Sequence, residues 1–251
     1  MSNKNVYYKF REPNEITPYE YGVLEQNIYA LILCRLSILV WIEKKKGITP
    51  PQNREMNFPI DELLSRFNCS ESNLKNNVSR ASKSMIDKYV AYSNGRTTDK
   101  FKLLESSEYH SNSGLHIKIT HRALGIIKEG IPRNYSEIDA NHYFSLNGKY
   151  SRRVLKIISQ WKLTKNKVLV LDIDNYREIL GIPDDKYLRM ESFIRNCVVS
   201  PIRDVINSSN GQWEASDKDQ KGFILYRQGR SFKKIQLMMQ YKSEEDTDLP
   251  F

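Results

Sequence analysis

The sequence predicts an α+β chain built as two tandem winged-helix domains, and three observations carry the prediction. A block of short strand, short helix, turn and longer amphipathic helix occurs twice. An apolar helix precedes each block, and strand segments broken by Gly, Asn and Asp follow each. Asp61 and Asp174 mark equivalent points of the two blocks, 113 residues apart, and Leu63 and Phe67 match Tyr176 and Leu180 at the same offset.

Residues 1–17 are polar with scattered aromatics and are expected to form an N-terminal arm. The first domain then occupies 18–130. Pro18 suits the first turn of a helix that runs to Lys46 and stops at Gly47. Leu24, Ile28, Leu31, Leu39 and Ile42 make it a core helix, and its apolar run over 29–42, broken by Arg35 and Ser37, is too short to span a bilayer. Pro50-Pro51 places 48–55 in a loop. Residues 56–60 form a strand, Asp61 caps a helix carrying Leu63, Leu64 and Phe67, and 69–72 make the turn. The next helix buries Leu74, Val78, Ala81 and Met85 and turns Asn76, Arg80 and Lys83 the other way. Strands at 89–92, 101–104 and 115–120, divided by Asn94-Gly95 and 111–114, form the first wing.

The second domain is expected over 131–242, joined near Ile131-Pro132-Arg133-Asn134. Its first helix, 150–163, buries Val154, Ile157, Ile158 and Trp161; Arg153 on it is either a DNA contact or a structural partner of a carboxylate such as Glu178. A strand at 167–172 leads to Asp174, the expected N-cap of a short helix with Tyr176, Ile179 and Leu180, which Gly181-Ile182-Pro183 ends. From Leu188, at about 100° per residue, Met190, Phe193, Ile194, Cys197, Val198 and Pro201 share one half of a helix. Arg189, Ser192, Arg195, Asn196, Val199 and Arg203 take the other half. This is the helix-turn-helix pattern, whose second helix enters the major groove, although an ordinary amphipathic helix with a solvated face has the same spacing. Strands at 212–215, 223–226 and 233–241, with turns at 217–222 and Gly229-Arg230, form the second wing. The acidic tail, 243–251, is expected to be disordered.

The chain carries a net charge of +9 and has a pI near 9.3, which favours a polyanionic partner. Residues 1–130 hold 19 basic and 14 acidic side chains, 131–242 hold 20 and 12, and the last nine hold only four acidic ones. The second domain is therefore the expected main contact with DNA. Cys34, Cys69 and Cys197 are odd in number and widely spaced, so neither a disulfide framework nor a zinc site is implied. No signal-peptide pattern opens the sequence, and a cytoplasmic protein is expected. His110, His116, His121 and His142 lack the spacing of a metal-dependent nickase, and no Gly-Lys-Ser/Thr phosphate loop occurs. Asp184, Asp185, Asp217 and Asp219 sit in turn sequences. The expectation is a protein with no catalytic site, no metal and no cofactor.

On the second helix-turn-helix, arginines can grip guanine O6 and N7 in pairs, Asn196 can read adenine the same way, and Val199 can touch a thymine methyl. Arg227, Arg230, Lys233 and Lys234 in and beside the wing suit phosphates. In the first domain Asn76, Arg80 and Lys83 suit backbone contact.

The run Leu146-Asn147-Gly148-Lys149-Tyr150-Ser151-Arg152-Arg153, with its helix to Trp161, resembles the start of the second domain in iteron-binding plasmid replication initiators of the Rep family. Leu180-Gly181-Ile182, Tyr187, Phe193, Arg195, Pro201 and Ile206-Asn207 continue the likeness, as do Gly229-Arg230 and the strand after them. It covers 17–241, with Val205 where members often carry an acidic residue. The resemblance implies two winged-helix domains that bind direct repeats at an origin, help open AT-rich DNA and recruit host replication proteins such as helicase and initiator. It also implies dimerisation through the first domain and repression of the protein's own gene. A winged-helix transcriptional regulator without an origin role and a DNA-cutting enzyme are the competing classes.

Overall fold

The computed structural model describes residues 9–14, 16–47, 53–93, 97–162 and 169–242. The chain divides into two units between Phe144 and Ser145.

In the first unit the chain runs β1 (Lys9–Pro13), β2 (Ile16–Thr17), α1 (Val23–Lys46), β3 (Glu55–Phe58), α2 (Ile60–Phe67), α3 (Glu71–Asp87), β4 (Tyr89–Ser93), β5 (Thr98–Lys102), β6 (Leu104–His110), β7 (Gly114–Ile119), α4 (His121–Gly130) and β8 (Tyr135–Asp139), with α5 (Ala140–Ser145) at the division. The α1 helix is the centre of the core. From Glu25 to Leu36 every side chain except Arg35 is buried, so the helix shows no apolar stripe and is enclosed on all sides. By length and composition α1 is apolar enough to cross a membrane, but 67% of its most apolar window is buried inside the fold, as in a core helix. Its start is fixed by Glu25, whose Oε2 accepts the Gly22 N–H at 2.6 Å and whose Oε1 accepts from Lys88 Nζ at 2.5 Å. Burial pushes the Glu25 carboxyl up, yet the hydrogen bonds from Lys88, Ser84 and Gly22 outweigh it and hold the group below its usual range. Gly47, at φ 64, ends the helix by returning its N–H to Glu43.

The expected N-terminal arm is not an arm from Lys9 on. β1 pairs antiparallel with β8, Phe10 opposite Ile138, and β2 pairs with β4. Phe10 and Ile16 are 1% and 0% exposed, so these strands are held by the core they complete. The same pairing moves the domain boundary. β8 lies beyond the expected join at 131–134, yet its partner strand is at the other end of the unit, and the division falls only after Phe144. Four strands follow α3 where three were expected: β4–β5 extend β2, while β6–β7 join β3 in the order β3-β7-β6. Gly114 opens β7 at φ 94, and a Cβ there would overlap the Phe58 carbonyl, so the wing closes on β3 only with glycine. The turn at Asn94-Gly95 lies outside the described residues.

The second unit runs α6 (Lys149–Ser159), β9 (Leu169–Asp172), α7 (Ile173–Ile179), α8 (Met190–Phe193), a π turn (Ile194–Val199), α9 (Ser200–Ser208), β10 (Trp213–Ala215), β11 (Phe223–Gln228), β12 (Ser231–Leu237) and β13 (Met239–Tyr241). Its main sheet has the order β11-β12-β9, and β10 pairs with β13. In both units the strand before the paired helices bonds to the last strand of the hairpin after them. That shared topology makes the chain a tandem winged-helix protein. The core of this unit gathers Val154, Leu155, Tyr176, Phe193, Cys197, Val198, Ile202, Val205, Ile235 and Leu237.

Details differ from the sequence pattern. Asp172, not Asp174, is the N-cap of α7, leaving Asp174 in the first turn where the helix dipole still favours a carboxylate. Trp161 and Ile179 are 39% and 36% exposed rather than inward, and 163–168 and the tail 243–251 lie outside the described residues.

Candidate nucleic-acid interface

In the second unit the helical run from Met190 to Ser208 carries exposed basic side chains. The helix begins two residues later than Leu188, with Arg189 as its extended N-cap residue. Ten residues, 180–189, separate it from α7, so the connection is longer than the tight turn the sequence suggested. Arg189, Arg195 and Arg203 are exposed, Ser192, Asn196 and Val199 are half-buried, and among the described residues the three arginines form no ion pair. Cationic groups left without carboxylates on one helix are what a phosphate or base edge requires.

Two of the expected base readers stand differently. Asn196 Nδ2 donates back to the Ser192 carbonyl at 2.8 Å and to Ser192 Oγ at 3.3 Å, so its donors are engaged within the helix. Val199 closes the π turn at the edge of the core. Ser200 and Asn207 are exposed beside Arg203, where the sequence pattern does not place them. A uniform 100° period sets both next to Phe193 on the apolar side, whereas a π turn holds about one residue more than an α turn and moves everything after it. The signal is present in the sequence as a jump in the buried stripe from Phe193 and Cys197 to Val198, Ile202 and Val205.

This helix is fixed from behind by arginine. Arg177 on α7 donates from Nη2 to the Lys186 carbonyl at 2.7 Å and from Nη1 to that of Tyr187 at 3.4 Å, and lies 5.2 Å over the Phe193 ring. Tyr187, at φ 52, turns the chain into the helix and stacks edge-on against Tyr150. Arg153 is buried and donates to the carbonyls of Leu180 and Gly181. Its role is structural, as one of the two expectations had it, but its partners are the free carbonyls at the end of α7 rather than Glu178, which is exposed. Ser151 Oγ ties α6 to the helix through Asp204 at 2.7 Å.

The wing turns at Gly229-Arg230 between Gln228 and Ser231, with Gly229 at φ 63, as a two-residue hairpin requires. Arg227 covers the Phe232 ring at 4.4 Å, and a bulge between Tyr226 and Arg227 leaves Lys233 outside the pairing. Arg230, Lys233 and Lys234 are exposed. In the first unit Leu74, Val78, Ala81 and Met85 are buried on α3, and Asn76, Arg80 and Lys83 are exposed opposite them. Among the described residues no three His, Cys, Asp or Glu side chains come together to hold a metal. Cys34 and Cys197 are buried, and burial pushes each thiol up to about 12, far from the thiolate a nucleophile needs.

A family model described as initiator replication protein, WH1, matches residues 9–159. The fold is similar to that of the Pi initiator protein, solved in complex with iteron DNA: the TM-score is 0.70 over 96% of this chain and 100% of that one, at 16% identity. The WH1 domain of MSBI1.176, a replication protein isolated from a multiple sclerosis patient, aligns with 45% of this chain and 87% of its own, at 15% identity and a TM-score of 0.28. No curated protein matches the sequence.

Proposed function

Because this chain belongs to the family of initiator replication proteins, we propose that it starts replication of a plasmid by binding direct repeats at the origin through its second winged helix. The observation that carries the reading is the exposed arginine face of the Met190–Ser208 helix, in a chain that follows the fold of an initiator solved on iteron DNA over 96% of its length. Arg195 and Arg203, with Ser200 and Asn207, read bases in the major groove, while Arg227, Arg230, Lys233 and Lys234 hold phosphates. Asn76, Arg80 and Lys83 give the first unit a weaker hold on the DNA backbone. The bound protein helps open AT-rich DNA and draws in host helicase and initiator, working in the cytoplasm without a cofactor. Footprinting on the DNA flanking its gene tests this: protection of several direct repeats beside an AT-rich stretch supports it, and protection of a lone inverted operator would favour a transcriptional regulator.

A wing laid on phosphates predicts a salt signature. Changing Lys233 and Lys234 to Gln is expected to lower the slope of log affinity against log salt by about one unit for each phosphate that is no longer neutralised. An unchanged slope would take the wing off the backbone.

Self-association belongs to the first unit in this reading, where β5 and β6 are edge strands open to another copy. A two-fold pair would present two second units to an inverted operator and repress the gene, leaving the monomer for direct repeats. A fragment 1–144, which unlike 1–130 keeps β8, is expected to dimerise in sedimentation while 145–251 stays monomeric; the reverse result would reassign the roles.

A further inference from the structure

We infer that Tyr176 is a positioning residue for DNA reading: its hydroxyl locks the π turn that brings the two halves of the recognition helix into one phase. The inference rests on the reading of this helix as the DNA contact. At 100° per residue, Arg195 and Arg203 stand about 80° apart, and the buried set before the turn lies roughly 100° from the set after it. Such a helix has no single face. The π turn lags by about one residue in total, so Phe193, Cys197, Val198, Pro201, Ile202 and Val205 come to one side. Arg195, Ser200, Arg203 and Asn207 come together on the other, and all four are exposed.

What keeps the turn is chemistry around Pro201. Proline has no N–H, and within an α-helix its ring strikes the carbonyl four residues back, here that of Cys197. The π turn moves that carbonyl aside, on a residue that is 0% exposed, and Pro201 supplies it with no donor. Tyr176 supplies one: its hydroxyl donates to the Cys197 carbonyl at 3.1 Å. The ring is 0% exposed and meets Phe193 edge-on at 6.3 Å. Burial raises the phenol far above its usual range, so the hydroxyl keeps its proton. A side chain on α7 thereby fixes the register of a helix that begins fourteen residues later in the sequence, from Tyr176 to Met190.

The test is Tyr176→Phe in the full chain, which keeps the ring and removes the donor. Binding to the repeat, to single-base variants of it and to random DNA is measured, together with amide hydrogen exchange. The cognate-to-random affinity ratio is expected to fall about tenfold, the scale of one buried hydrogen bond lost. Base discrimination by the Arg195 and Arg203 halves should go out of step, the salt slope should not change, and exchange over 197–203 should accelerate. Adding Pro201→Ala restores an N–H that reaches the Cys197 carbonyl once this turn closes as an α turn, and is expected to recover the exchange protection but not the ratio. Wild-type discrimination in Tyr176→Phe, or recovery of the ratio by the double variant, overturns the positioning role. Wild-type protein that fails to discriminate would sink the DNA-reading proposal alone, and unchanged exchange in Tyr176→Phe would still decide against the lock.

Discussion

Replacing Arg195 and Arg203 together by Ala is expected to weaken binding to the cognate repeat by about 2–6 kcal/mol, two base contacts at roughly 1–3 kcal/mol each. Both side chains are exposed, neither has a carboxylate partner among the described residues, and the π turn sets them on one face although they are eight positions apart. Because they hold nothing in the fold, the double variant should melt at the wild-type temperature. Affinity for random DNA should fall much less, since non-specific binding draws on phosphates spread along the wing. Titration of the variant and the wild type against repeat and random duplexes at one fixed salt concentration decides the matter. Equal losses on the two DNAs would show that these arginines touch phosphate, and no loss on either would move the interface off this helix.

The repeated helix-turn-helix and wing are legible in the sequence because each element rests on local chemistry. The stripe Leu74, Val78, Ala81 and Met85 is at helical spacing, and all four are buried. Turn residues such as Gly229 sit where backbone geometry demands them. What stays illegible is decided by contacts distant in sequence. Nothing in Lys9–Pro13 announces that its partner strand is 135–139, so a core strand reads as an arm and the boundary between the domains falls too early. Angle alone places Asn196 on the reading face, and an angle says nothing of the competing acceptor on Ser192 one turn away. Ser200 and Asn207 escape any count that assumes a uniform period, which one buried tyrosine and one proline are enough to break.

Arginine used as an internal tie is the other theme of the second unit, and it sets the largest expected effect on stability. Arg153→Met is expected to destabilise this unit by about 2–4 kcal/mol: the buried Leu180 carbonyl loses a charged donor, at roughly 1–3 kcal/mol, and the half-buried Gly181 carbonyl loses a longer bond worth less. The guanidinium is 6% exposed and donates to Leu180 and Gly181, the residues that end α7. Its charge there also faces the negative end of the α7 dipole, which lowers the cost of burying it. Methionine fills much of the volume, so the loss comes from the missing donors rather than from a cavity. Lysine should recover only part of it, since a compact and strongly hydrated ammonium costs more to bury than a guanidinium. Urea unfolding followed by Trp213, which is 4% exposed in the core of this unit, measures the difference. A stability for Arg153→Met within about 0.5 kcal/mol of wild type would mean that Arg177, through Lys186 and Tyr187, holds the segment before the recognition helix by itself.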